Sequence, residues 1–83
     1  MDTRQLIDRI TIDPHLMVGK PTIRGLRITV EQLLKALAHG ITIPEILNKY
    51  PELTKEDIQA ALLYAADRVG EEQVFEITLG AKE

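Results

Sequence analysis

The chain has no cysteine among its 83 residues. Disulfide frameworks, thiolate zinc sites and thiol nucleophiles are therefore excluded, and the pattern fits a reducing cytosol. It also lacks long apolar runs: no segment approaches the roughly 20 residues a spanning helix needs, and the N-terminal MDTRQLIDRITID mixes charges of both signs. The expectation is a soluble cytoplasmic protein with no membrane contact. Histidine is scarce as well. His15 and His39 are far apart and belong to no ligand-spaced pattern, so no metal site is expected, and a protonated His39 near a helix C-terminus has a structural role with the helix dipole.

The letters Gly19-Lys20-Pro21-Thr22 superficially suggest a phosphate-binding loop. That loop needs a glycine five residues before the Gly-Lys pair and a hydroxyl residue directly after the lysine, but Pro14 and Pro21 occupy those places. Nucleotide binding is rejected. The carboxylates sit mostly in first helical turns or on outward helix faces, where capping and solubility explain them. Asp13 before Pro14 is read as bonding its own turn. With no nucleophile, paired acid or cofactor motif in view, an enzyme is not expected, nor a cofactor or a small-molecule substrate.

What remains is one small domain. At this length folding hides only about 60% of the unfolded surface, so a second copy or partner is expected, most simply as a homodimer. The charge is uneven. Residues 1–30 carry five basic and three acidic side chains, whereas residues 31–83 carry five and ten. Any basic footprint must come from MVGKPTIRGLRITV, residues 17–30, where Lys20, Arg24 and Arg27 are the candidate DNA contacts.

The fold expected is mainly α: three helices preceded by a short β-ribbon. Residues 9–13 alternate at period two before the Asp13-Pro14 turn, and residues 27–29 are β-prone and able to pair with them, within one chain or across a dimer axis. Thr29, Thr42 and Thr54 each stand three residues before Gln32, Glu45 and Asp57, marking helices over about 30–39, 43–50 and 55–69. The third box is the weakest, because aspartate is short. Gly40 and Gly70 are read as stops, and Pro44 sits harmlessly in a first turn.

The third predicted helix is apolar over most of its girth. Beside an inward face of Ile58, Ala61, Leu62, Ala65 and Val69, it places Ala60, Leu63 and Tyr64 on a neighbouring face, which points to an interface at Leu63 and Tyr64. An acidic tail over 71–83 follows the trihelical domain of 1–70 and carries Phe75, Ile77 and Leu79 in alternation. It packs back on the first predicted helix or orders against a partner. The second and third predicted helices have the lengths of a helix-turn-helix, but Glu56 and Asp57 at the reading end are unfavourable toward phosphate.

Four ordered stretches, ITIDP (10–14), GKPTIRGLRI (19–28), EILNKYPELT (45–54) and DIQAAL with YAA (57–66), resemble the prokaryotic domain-of-unknown-function family 433. The resemblance implies a homeodomain-like trihelical fold and a VapB-like antitoxin role in a type II toxin-antitoxin pair, with a PIN-like ribonuclease as neighbour. It brings no catalytic residues. The expected function is thus a non-catalytic antitoxin that binds a ribonuclease and its own operator DNA; the alternatives are a stand-alone DNA-binding regulator and a structural oligomerisation module.

Overall fold

A computed structural model gives the fold and describes residues 2–71. The described part is mainly helical with one two-stranded antiparallel sheet: α1 (Thr3–Ile7), β1 (Ile10–Thr11), β2 (Thr22–Ile23), α2 (Val30–Ala38), α3 (Ile43–Lys49) and α4 (Lys55–Glu71). Four helices replace the three expected. The addition, α1, is started by Asp2, whose side chain accepts from the Gln5 amide while the Gln5 side chain accepts from the Asp2 amide. This is the same reciprocal cap that starts the later helices, built on Asp rather than Thr.

All three predicted threonine boxes form. Thr29, Thr42 and Thr54 accept from the amides of Gln32, Glu45 and Asp57, and the three partner side chains accept in return. Helix α2 closes at Gly40 with φ +87°. There the Gly40 amide donates to Leu37 O and the Ile41 amide to Ala36 O, each at 3.0 Å, which is the paired-bond left-handed cap. Gly70 does not act as a stop, since α4 runs on to Glu71. Glycine permits a left-handed cap without demanding one.

The strand expected over 9–13 shortens to Ile10–Thr11, and its direct partner is not 27–29 but Thr22–Ile23, in the register Ile10↔Ile23 and Thr11↔Thr22. The reason lies in the turn Ile23–Leu26, closed by the Leu26 amide on Ile23 O at 2.8 Å. Both central residues, Arg24 (φ 47°) and Gly25 (φ 73°), are left-handed, the condition for a tight turn that reverses a strand. The chain returns, the Ile23 amide donates to Ile28 O, and Thr22 bridges to Thr29. Thr22 and Ile23 are thereby enclosed between the two segments expected to meet, and both are fully buried.

The core gathers Ile23, Ile28, Val30, Leu33, Ile46, Leu53, Ile58 and Ala61. Helix α4 is its axis, packed by α1, α2, α3 and β1. Ala60 and Ala61 are both fully buried; with only a methyl group each, they let neighbouring backbone approach closely from both sides. The apolar excess of α4 is therefore absorbed by its own domain in the N-terminal half. Two residues assigned to its inward face are on the outside instead: Leu62, which lies just beside the buried stripe of Ile58 and Ala61, and Val69, close to the end of the described helix.

Candidate functional site

The basic loop is reached first. Lys20 does not project freely: its Nζ donates to Glu31 Oε1 at 2.8 Å, and Lys35 Nζ reaches the other oxygen at 3.0 Å. These two lysines, Lys20 first, pull the Glu31 carboxyl down to about 2. Arg24 is committed more deeply. Its Nε and one terminal nitrogen grip Asp57 at 3.0 and 2.9 Å, and that terminal nitrogen also donates to Glu52 O at 2.6 Å. All three are exposed, but among the described residues Arg27 alone of them is held by no hydrogen bond or ion pair.

Asp57 is the centre of this arrangement and was read from the sequence as a short cap and as a carboxylate at the reading end of the third helix. Its carboxylate is 0% exposed and accepts from Arg24, from Arg9 Nη1 at 2.8 Å and from the Thr54 amide at 2.9 Å. Burial pushes its carboxyl up, but the bonds from Arg24, the Thr54 amide and Arg9 outweigh that and hold it at about 2. The same bond from Asp57 raises Arg24 further above the ordinary guanidinium range. Asp57 therefore cannot face phosphate, and the clash expected from it does not arise. It ties β1's flank, the turn after β2 and the start of α4 into one unit. The only sequence signal for this was the presence of arginines on both β segments.

Asp13 behaves as expected, accepting from the His15 amide at 2.9 Å. His39 Nδ1 lies 2.7 Å from Lys35 O, so that nitrogen carries a proton and closes the last turn of α2. Among the described residues no group of three or more His, Asp or Glu side chains is placed to hold a metal ion, and no helix is long and apolar enough to cross a membrane.

The predicted interface residues part company. Tyr64, half-buried, packs against the core from one side. On the other it lines a groove of about 490 Å³ between α2 and the C-terminal half of α4, whose apolar walls are Val30, Leu34 and Ala38 facing Tyr64, Ala65 and Val69. Leu63 does not line it. Val69, 68% exposed, was assigned to the core and instead stands at its edge. Charge is confined to Glu31, Lys35 and Arg68, the last stacked over the Tyr64 ring at 6.0 Å. Phe75, Ile77 and Leu79, the remaining predicted contacts, lie outside the described residues.

The model of the family described as "Protein of unknown function (DUF433)" matches residues 10–65. The chain belongs to the DUF433 family. The match spans β1 to the middle of α4, so it includes Arg24 and Asp57 and stops short of Val69. A crystal structure of a DUF433 member protein from Anabaena variabilis is similar in fold, with a TM-score of 0.72 and 34% sequence identity over 82% of this chain and 67% of that one. The uncharacterized protein y4eO of Sinorhizobium fredii is 32% identical over 56 residues, which are 68% of this chain and 25% of y4eO. The chain thus spans about a quarter of that relative's length.

Proposed function

We propose that this DUF433 protein is a non-catalytic antitoxin of a type II toxin-antitoxin pair, acting in the cytoplasm by protein recognition, with a PIN-like ribonuclease as its partner. The observation that carries the reading is the groove between α2 and α4, whose walls are Val30, Leu34, Ala38, Tyr64, Ala65 and Val69 and almost wholly apolar. A concave apolar groove between two helices is the kind of surface into which a partner lays its apolar side chains. This groove lies beside the C-terminal half of α4, after which comes the acidic segment 72–83 with Phe75, Ile77 and Leu79. Acidic charge around apolar anchors suits a basic, RNA-binding cleft.

Operator binding is the lesser half of the role. Lys20 and Arg24 spend their charge inside the molecule, which leaves Arg27 as the one member of the predicted trio free to meet phosphate. The helix-turn-helix reading of α3 and α4, homeodomain-like in outline, would offer DNA the exposed Lys55 and Gln59 rather than Asp57. A stand-alone regulator would depend on that face and keep the groove idle.

The test is co-expression with the ribonuclease of the adjacent gene, followed by copurification and an RNA-cleavage assay. Binding and inhibition are expected, and deletion of residues 71–83 is expected to abolish inhibition while leaving the circular-dichroism spectrum helical. Undiminished inhibition by the shortened chain overturns the role of the tail; absence of any complex with the ribonuclease overturns the antitoxin assignment.

A further inference from the structure

We infer that the α2–α4 groove receives an amphipathic helix with an acidic flank, presented by the ribonuclease partner. The inference deepens the proposed function and rests on it for the identity of the protein that brings the helix. Three observations support it. The first is the chemistry of the walls. Val30, Leu34 and Ala38 of α2 face Tyr64, Ala65 and Val69 of α4, and the surface between them is almost wholly apolar. An extended segment laid there would bury backbone N–H and C=O groups with nothing to bond. A helix satisfies those groups internally and presents only side chains to the walls.

The second is dimension. Val30, Leu34 and Ala38 stand at four-residue intervals along α2, so the row is about 12 Å long. Apolar residues at i, i+4 and i+7 of a docking helix span about 10 Å. Two turns of helix therefore fill the α2 wall.

The third is charge. The groove shares Glu31 and Lys35 with an adjoining hollow of about 290 Å³ that Met17 and Lys20 also line. Lys20 and Lys35 pair with the single carboxylate of Glu31, and both remain exposed. One positive charge is thus in excess along the α2 rim, and each ammonium keeps N–H donors for an incoming carboxylate. Acidic residues flanking the apolar stripe of a docked helix meet that need. The same charge disfavours a second copy, because a twofold contact through this face brings two lysine rims into one interface. A nucleic-acid backbone would engage the lysines and leave the apolar walls in water.

The test uses the full-length chain and the ribonuclease of the adjacent gene. Ala38 and Val69 are exposed and line the groove, so Ala38→Glu and Val69→Glu leave the core untouched and set a carboxylate in the path of the helix. Each is expected to weaken the complex by about 30-fold or more in calorimetric titration, the scale of a desolvated interface anchor. Gln59→Glu, on exposed α4 surface outside the groove, is expected to leave it unchanged. Lys20→Gln combined with Lys35→Gln is expected to weaken binding about tenfold at low salt and to flatten its salt dependence. Photo-crosslinking from Val69→benzoylphenylalanine, mapped by mass spectrometry, identifies the occupant, and a link to an acidic amphipathic helix of the ribonuclease is expected. A link to the basic cleft of the ribonuclease, to a second copy or within the same chain overturns the proposal. So does a complex that both glutamate variants leave undisturbed, or a salt dependence that the lysine variants do not change; in each of these cases the antitoxin reading survives. Absence of any wild-type complex overturns that reading and this inference together, which separates the two failures.

Discussion

Replacing Asp57 with asparagine removes one negative charge and little volume, and the structure sets the scale of the result. The carboxylate is fully buried, yet Arg9 and Arg24 keep 24% and 39% of their side chains exposed. Breaking a wholly buried pair costs about 3–5 kcal/mol; because both arginines retain water, a value at or just below the bottom of that range, about 2–3 kcal/mol, applies to Asp57→Asn at neutral pH. Proton linkage gives a second route to the number. A carboxyl held at about 2 against an ordinary 3.8 contributes about 2 kcal/mol, at 1.36 kcal/mol per unit. The sign follows from the depressed folded value: the contribution is complete above about pH 5 and is lost as pH falls through 4 toward 2. Urea unfolding of both proteins at pH 7, 5, 4, 3 and 2.5 checks it. The wild type is expected to be more stable at pH 7, with a thermal midpoint higher by about 10–20 °C, and the two curves are expected to converge on acidification. Parallel curves, separated equally at pH 7 and pH 2.5, would refute the buried-carboxylate account and leave Asp57 as no more than a helix cap.

Other perturbations follow from the same geometry. Arg24→Lys keeps the charge but loses the two-nitrogen grip on Asp57, and an unfolding loss of about 1–2 kcal/mol is expected by denaturant titration; an unchanged midpoint would show that the fork geometry is irrelevant. Val18 is 93% exposed with φ 57°, a left-handed conformation that a β-branched residue resists. Val18→Asn is therefore expected to stabilise by about 1 kcal/mol in the same assay, with nothing lost in packing. At Gly40, φ is +87° and no atom lies within 4 Å of an added Cβ, so Gly40→Ala tests backbone strain alone, and a loss of about 1 kcal/mol is expected from thermal unfolding. Arg27→Ala is expected to weaken any operator binding without moving the unfolding midpoint, whereas an equal substitution at Arg24 confounds the two, because that side chain holds the fold.

Much of this molecule was legible residue by residue. The starts of α2, α3 and α4 could be read because a capping box is a contract between neighbours three apart. The end of α2 could be read because Gly40 adopts the left-handed cap conformation at little cost. The helix α1 obeys the same rule through Asp2 and Gln5 and went unread because its short, charged sequence carries no apolar stripe. Val69 was misassigned because periodicity tells which residues share a face but not how far the covering elements extend, and Leu62 because the buried stripe of α4 runs through Ala60 and Ala61 beside it.

The amino-acid sequence by itself determined the local architecture: where the helices begin, where the tight turns fall, and that cysteine chemistry and a phosphate loop are absent. Tertiary structure alone decided what the charged residues do. Arg9 and Arg24 meet Asp57 across 48 and 33 residues of chain, and Lys20 meets Glu31 after the chain has reversed at Gly25. Local rules act through backbone bonds between near neighbours, whereas an ion pair or a groove depends on the positions of whole elements, and those are set by packing around Ile23, Leu33 and Ile58 rather than by any short stretch of sequence.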